Sequence, residues 1–243
     1  MSLDIYLDLM SPPCRAVVFM AQKNNIPYTE KTLDLFKGDQ LKDEFFQVNP
    51  LQKVPVICHD GFKLTESVAI LKYLAAMYPV ADHWYPKEPQ ARALVDEYFA
   101  WQHCSLWMNI VPYFLSHTLI PKISGKPVAE KKVQEMKENL ELTVGVLQSK
   151  FLQEKSFLCG SQISIADLLA YCYLQQPKAV GYDTLAGKPQ LEAWLCRVEE
   201  VLGDELLQDV NARLQNVEQI VNSSDLSSDM IEIVKKRLRM LFD

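Results

Sequence analysis

The sequence predicts an α/β domain of order βαβαββα followed by an all-α domain. Three observations carry this: strand and turn signals crowd the first eighty or so residues, helical spacing with few turn residues dominates the rest, and Pro79 to Pro89, with three prolines and no period, lies between them. The expected limits are residues 1–79 for the first domain, 80–89 for a linker and 90–243 for the second.

Ile5 to Leu9 is a short apolar run suited to a buried strand. Pro12-Pro13 then opens a helix, because proline loses nothing in a first turn whose N–H groups lack partners, and the helix runs to about Asn24. Asn25-Ile26-Pro27 ends it, Tyr28 to Leu33 reads as a second strand, and a short helix is expected near Lys42 to Val48. His59-Asp60-Gly61 is a turn between strands at Val54 to Cys58 and Phe62 to Leu64; helical spacing follows over Glu66 to Tyr78.

In the second domain Leu94, Tyr98, Trp101 and Ser105 form one stripe of a long helix, which Pro112 is expected to kink by removing a backbone donor. Leu140, Val144, Leu147 and Phe151 mark another. Further helices are predicted over Ser164 to Gln176, Pro189 to Val201 and Met230 to Leu241, with Asn222 to Asp225 as a mobile join. Ser164 and Asp167 have the spacing of a reciprocal N-cap, with Ile163 and Leu168 as its hydrophobic staple.

Bulk properties exclude several classes. A net charge of −6 opposes binding to nucleic acid. No apolar stretch approaches a membrane span, and the start lacks the basic-then-apolar pattern of a secretion signal, so a cytoplasmic protein is expected. The six cysteines show no zinc-like pairing and are read as structural thiols in mostly apolar surroundings; His59, His83, His103 and His117 have no metal-ligand spacing, so turn or core roles are expected and no metal.

Ser11-Pro12-Pro13-Cys14-Arg15 sits between the first strand and the first helix, where free N–H groups and the helix's positive end favour an anion. A serine here equally suits a helix cap. Lys53-Val54-Pro55 precedes a strand; a cis Val54–Pro55 bond would turn the Val54 backbone toward an extended, peptide-like ligand, and an ordinary strand-start proline reads as well. Glu66-Ser67 opens the next helix, where Ser67 suits a carboxylate and Glu66 an ammonium group, or Thr65 or Ser67 simply caps. All three points converge on one edge of the sheet.

Those residues carry a resemblance. Through Leu7-Asp8-Leu9-Met10-Ser11-Pro12-Pro13-Cys14-Arg15-Ala16-Val17, Val48-Asn49-Pro50-Leu51-Gln52-Lys53-Val54-Pro55 and Leu64-Thr65-Glu66-Ser67-Val68-Ala69-Ile70-Leu71, the chain resembles the theta class of cytosolic glutathione transferases. The likeness continues through Trp84-Tyr85-Pro86, Ala91-Arg92, Val95-Asp96-Glu97-Tyr98 and Trp101-Gln102-His103. It implies a thioredoxin-like first domain, reduced glutathione as co-substrate with no prosthetic group, a homodimer, and transfer of the glutathione thiolate to small hydrophobic electrophiles. Ser11 matches the serine that donates to the glutathione sulfur, Lys53 and Val54 the backbone contacts, Glu66 and Ser67 the γ-glutamyl contacts. The glycine carboxylate falls to Gln40 and Leu41, although relatives commonly have histidine at position 40; loss of a charge-assisted bond there weakens binding by ~1 kcal/mol. The electrophile pocket is expected at Trp107, Val111, Phe114 and Met240. Trp107 stands where relatives often carry arginine, which makes the pocket more apolar and less suited to sulfate esters. Two other activities fit parts of the sequence: a thiol oxidoreductase using Cys14, and a binding protein without turnover.

Overall fold

A computed structural model of the chain describes residues 2–237. The order β1 (Leu3–Leu7), α1 (Pro12–Lys23), β2 (Thr29–Thr32), α2 (Asp43–Phe46), β3 (Val56–His59), β4 (Phe62–Thr65), α3 (Ser67–Met77) matches the predicted βαβαββα. The four strands run in the order β2-β1-β3-β4, with β1 parallel to β2 and antiparallel to β3. Strand β1 starts and ends two residues earlier than expected. Its alternation buries Leu3, Ile5 and Leu7, and Asp8 leaves the sheet because its carboxylate accepts from the Met10 N–H at 2.8 Å.

Helices make up the remainder: α4 (Pro89–Cys104), α5 (Leu106–His117), α6 (Leu119–Ser124), α7 (Glu130–Val146), α8 (Ile165–Ala179), α9 (Pro189–Leu202), α10 (Asp204–Gln215), α11 (Val217–Ser223) and α12 (Ser228–Arg237). The long helix is interrupted at Ser105, a break that the sequence did not signal. Ser105 departs from helical geometry at φ −123° and ψ −70°, while Pro112 is carried inside α5. The carbonyl deprived of its donor is that of Met108, a residue 55% exposed. Helices α6, α10 and α11 were not among the predicted elements, and Leu147–Leu152 extends α7 as a π-helical turn.

The connection between the parts is packed rather than loose. Trp84 is buried, His83 Nδ1 lies 2.6 Å from the Ile163 carbonyl, and Lys72 pairs with Asp96 at 2.6 Å. The 222–225 stretch is likewise anchored in part: Ser224 is buried, and its hydroxyl donates to the Ile220 carbonyl. The start of α8 bears out the predicted box. Asp167, fully buried, accepts from Ser164 N at 2.9 Å and Ser164 Oγ at 2.8 Å through Oδ2, and from Leu158 N and Trp194 Nε1 through Oδ1; Ile163 and Leu168 are both buried beside it. One core joins the sheet to the helices, because α1 packs on α8 with Val17, Phe19 and Met20 facing Leu168, Tyr171 and Cys172 in a shared cluster. No helix among the described residues is long and apolar enough to cross a membrane.

Candidate active site

The helix start at Ser11 is shaped by its two prolines. Pro12 and Pro13 occupy the first two helical positions and have no N–H to offer, which leaves Cys14 N–H as the one near cap target, and the Ser11 side chain makes no cap hydrogen bond even though its backbone is extended at φ −81° and ψ 122°. Its hydroxyl is half-buried, beside the Cys14 thiol and at the positive end of α1. The helix's first turn holds no acidic residue that would oppose an incoming anion.

The loop before Ser11 is fixed on every side. Asp8, at 0% exposure, accepts from Met10 N (2.8 Å) and Arg213 Nε (2.6 Å) through Oδ1, and from Leu35 N (2.9 Å) and Arg213 Nη2 (3.3 Å) through Oδ2. Buried Arg15 donates to the carbonyls of Leu9 (3.1 Å), Met10 (3.4 Å) and Cys172 (2.6 Å), and Gln176 Nε2 reaches the Met10 carbonyl at 3.2 Å. Burial lowers the Arg15 pKa, but a guanidinium keeps its charge in proteins and adds a fixed positive group behind the loop.

Ser11, Lys53, Val54, Trp107, Val111 and Phe114 line one cavity of about 330 Å³, together with Met10, Pro12, Pro13, Leu35, Phe36, Gln52, Leu115, Leu119 and Gln176. Its wall is mainly apolar, and α5 supplies Trp107, Val111 and Phe114 from successive turns of one face. Larger hollows along α10, such as that between Gln22 and Asp204 to Ala212, do not include Ser11. The Val54–Pro55 bond is cis, and Asn49 holds the strap ahead of it by donating from Nδ2 to the Lys53 carbonyl at 2.8 Å.

The other predicted residues, Gln40, Leu41, Glu66 and Ser67, are not part of this lining. Gln40 is buried on a 3₁₀ turn with Nε2 3.5 Å from the Leu35 carbonyl, and the Leu41 carbonyl accepts from Gln52 Nε2 at 3.2 Å. Glu66, exposed, holds the left-handed φ of 65° immediately before α3, and Ser67 is its first residue. A non-glycine residue pays for that conformation, and such strain gathers at functional sites. Gln52 is a second case at φ 53°, and it does line the cavity. Met240 lies outside the described residues. Val234 of α12, however, joins Met10, Phe36, Phe114 and Leu119 in one buried cluster, so the terminal helices reach the cavity's wall.

Sequence reading missed Leu35, Phe36, Gln176 and the Asp8–Arg213 pair. An acid interrupting the first strand's apolar run was the available signal for Asp8; Arg213, 205 residues away, had none. Cys14 is fully buried and burial pushes its thiol up to about 12, with the Ser11 hydrogen bond only partly opposing this. A thiol so protonated and enclosed is not an attacking group. Cys172 matches it, whereas Cys104 and Cys196 are exposed, against the expectation for those two. Among the histidines, His59 Nδ1 meets Tyr73 Oη at 2.8 Å, His117 Nδ1 meets the Tyr113 carbonyl at 2.9 Å, and His103 stacks on Trp107. No group of three metal-ligating side chains occurs among the described residues.

Comparison with known proteins agrees with this geometry. The model of the glutathione S-transferase N-terminal domain matches residues 1–76, and that of the C-terminal domain matches residues 106–201. Glutathione S-transferase theta-1 of Bos taurus is 48% identical over 211 residues, 87% of this chain and 88% of that protein; its Homo sapiens counterpart is 46% identical over the same span. The apo form of human glutathione S-transferase T1-1 superimposes with a TM-score of 0.92 at 39% identity and covers both chains completely. A human theta-class enzyme in complex with the glutathione conjugate of 1-menaphthyl sulfate gives 0.94 at 38% identity, over 99% of this chain and all of that one. A thioredoxin-like sheet joined to an all-helical domain, shared with these relatives over nearly the whole chain, makes this protein a member of the glutathione S-transferase family, theta class, a transferase with reduced glutathione as its co-substrate.

Proposed function

We propose that the chain conjugates reduced glutathione to small hydrophobic electrophiles, alkyl halides and epoxides foremost, and that the same thiolate reduces organic hydroperoxides. The thiolate forms the new S–C bond as halide leaves or the epoxide opens; with a hydroperoxide, two glutathiones are oxidised to the disulfide as ROOH becomes ROH and water. Ser11 donates its hydroxyl to the sulfur. Lys53 and Val54 bind the peptide backbone, Glu66 and Ser67 the γ-glutamyl end, Gln40 and Leu41 the glycine end. Trp107, Val111, Phe114 and the terminal helix around Met240 wall the electrophile. Domains 1–79 and 90–243 thus divide the two substrates, in a cytoplasmic homodimer.

The observation that carries this reading is a serine hydroxyl at a helix N-terminus that makes no cap bond to the helix backbone and lines the cavity. Ionisation alone explains little. A thiol of pKa ~8.5 is about 7% thiolate at pH 7.4, and a fall of ~2 units raises that roughly twelvefold, most of which is lost again as nucleophilicity drops with basicity. Holding sulfur and electrophile together in an apolar cavity supplies the larger share. One relative's bound conjugate of 1-menaphthyl sulfate supports conjugation chemistry, while Trp107 in the wall favours uncharged electrophiles over sulfates. The test is Ser11→Ala assayed at saturating glutathione against an alkyl halide, an epoxide and a hydroperoxide: unchanged turnover on all three removes Ser11 from the mechanism.

A further inference from the structure

Asp8 stands out among the buried groups because neither of its oxygens is left to spare. Each carboxylate oxygen accepts one backbone N–H and one guanidinium N–H. The two backbone donors, Met10 and Leu35, lie in different loops of the sheet edge, and both residues line the cavity. The guanidinium comes from the helical domain, where Arg213 sits on α10 with 26% side-chain exposure and also reaches Asp34 Oδ1 at 3.1 Å. Four charge-assisted bonds thus meet at one carboxylate, and they join the loop leading to Ser11, the loop carrying Leu35 and Phe36, and the helix from which α11 and α12 continue.

We propose that Asp8 and Arg213 are a positioning pair for the transfer reaction: the ion pair sets the Met10–Ser11 loop and the Leu35–Phe36 wall in register, fixing sulfur and electrophile relative to each other. General attachment of the two domains is already secured by α1 packing on α8 and by Arg15 reaching the Cys172 carbonyl. What Asp8 and Arg213 add is direction at two loops. Met10 and Leu35 each spend their N–H on the same rigid carboxylate, so neither loop can shift without losing a charge-assisted bond. Without Arg213 the buried carboxylate has no cation, and it must draw in water or turn away, releasing both loops. Displacement of reacting groups by even an ångström costs a large factor in rate.

One half of this inference, the sulfur half, rests on the Ser11 reading above; the wall half does not. The two have separate readouts. In folded Arg213→Gln, the thiol of bound glutathione, followed by the ultraviolet absorbance of its thiolate, is expected to titrate about one unit higher. KM for an alkyl halide is expected to rise about fivefold or more, while glutathione affinity, measured at about pH 6 where the bound thiol is mostly protonated in both proteins, changes less, because Lys53, Val54, Glu66 and Ser67 are not held by the pair and only Gln40 leans on the released loop through the Leu35 carbonyl. Arg213→Lys, which keeps the charge and loses the fork, should fall between the two and serves as the deciding variant if Arg213→Gln does not fold. A lower melting temperature with wild-type thiol titration and wild-type electrophile KM would make the pair merely structural and overturn the proposal. If Ser11→Ala leaves the thiol titration untouched, the Ser11 reading fails by itself and electrophile KM in the Arg213 variants still decides this one.

Discussion

Two helix starts in this chain look alike in sequence and differ in use. Ser11 precedes α1 and Ser164 precedes α8, each a favoured capping residue with extended backbone. At α8 the first-turn residues are Ile165, Ala166 and Asp167, and Ser164 is 2% exposed with its N–H and hydroxyl both committed to Asp167. At α1 two prolines have removed the first two donors, the remaining Cys14 N–H is not taken up by the Ser11 side chain, no acid stands at the third position, and the serine faces a cavity. The lesson is that a serine's role at a helix mouth is decided by the three residues after it. Where donors and an acid follow, the hydroxyl is absorbed into structure; where prolines follow, the helix makes no claim on it and chemistry can.

The largest test of this contrast is on the structural side. Asp167→Ala removes the acceptor of four hydrogen bonds and strands the Trp194 and Leu158 donors in the core, so stability is expected to fall by about 3–5 kcal/mol. Urea unfolding with an unchanged slope measures it, and kcat per folded molecule should stay near wild type. Ser11→Ala should do the reverse. With no cap bond to lose, stability should stay within about 0.5 kcal/mol, while kcat at saturating glutathione drops about ten- to a hundredfold and glutathione affinity changes far less. A Ser11→Ala protein that unfolds as easily as a decapped helix would break the contrast.

How much of this was legible depended on how local the cause was. The βαβαββα order followed from prolines, turns and short apolar runs, each of which acts within a few residues. The α8 box was legible for the same reason, since Ser164 and Asp167 lie within one turn. The helix break at Ser105 had no signal of its own, since Ser105 reads in the sequence as one more position of the stripe begun by Leu94, and Pro112 is accommodated inside α5. Helix α10 carried signals that went unused: Gly203 at φ 85°, acids Asp204 and Glu205 in the first turn, and apolar Val210 and Leu214 one turn apart. Ser11, Lys53 and Val54 could be picked out from motif and resemblance, yet Leu35, Phe36 and Gln176 belong to the cavity only because the chain returns to it from far away.

The smallest and sharpest test restores one donor at the catalytic helix. Pro13→Ala gives the second helical position an N–H, the usual target of an N-cap oxygen, without touching Ser11. Proline is also a good residue in a first turn, so the helix itself should change by no more than about 1 kcal/mol in either direction. The Ser11 hydroxyl oxygen then has a backbone donor to accept from, and accepting from it turns the hydroxyl proton's direction away from the orientation that suits a sulfur in the cavity. A cap bond of this kind is worth about 1 kcal/mol, so competition of that size should reduce kcat by about two- to fivefold and raise the bound thiol's pKa by a fraction of a unit. If Pro13→Ala keeps full turnover while its helix gains stability, the hydroxyl serves cap and sulfur at once, and the prolines are then explained by helix initiation alone.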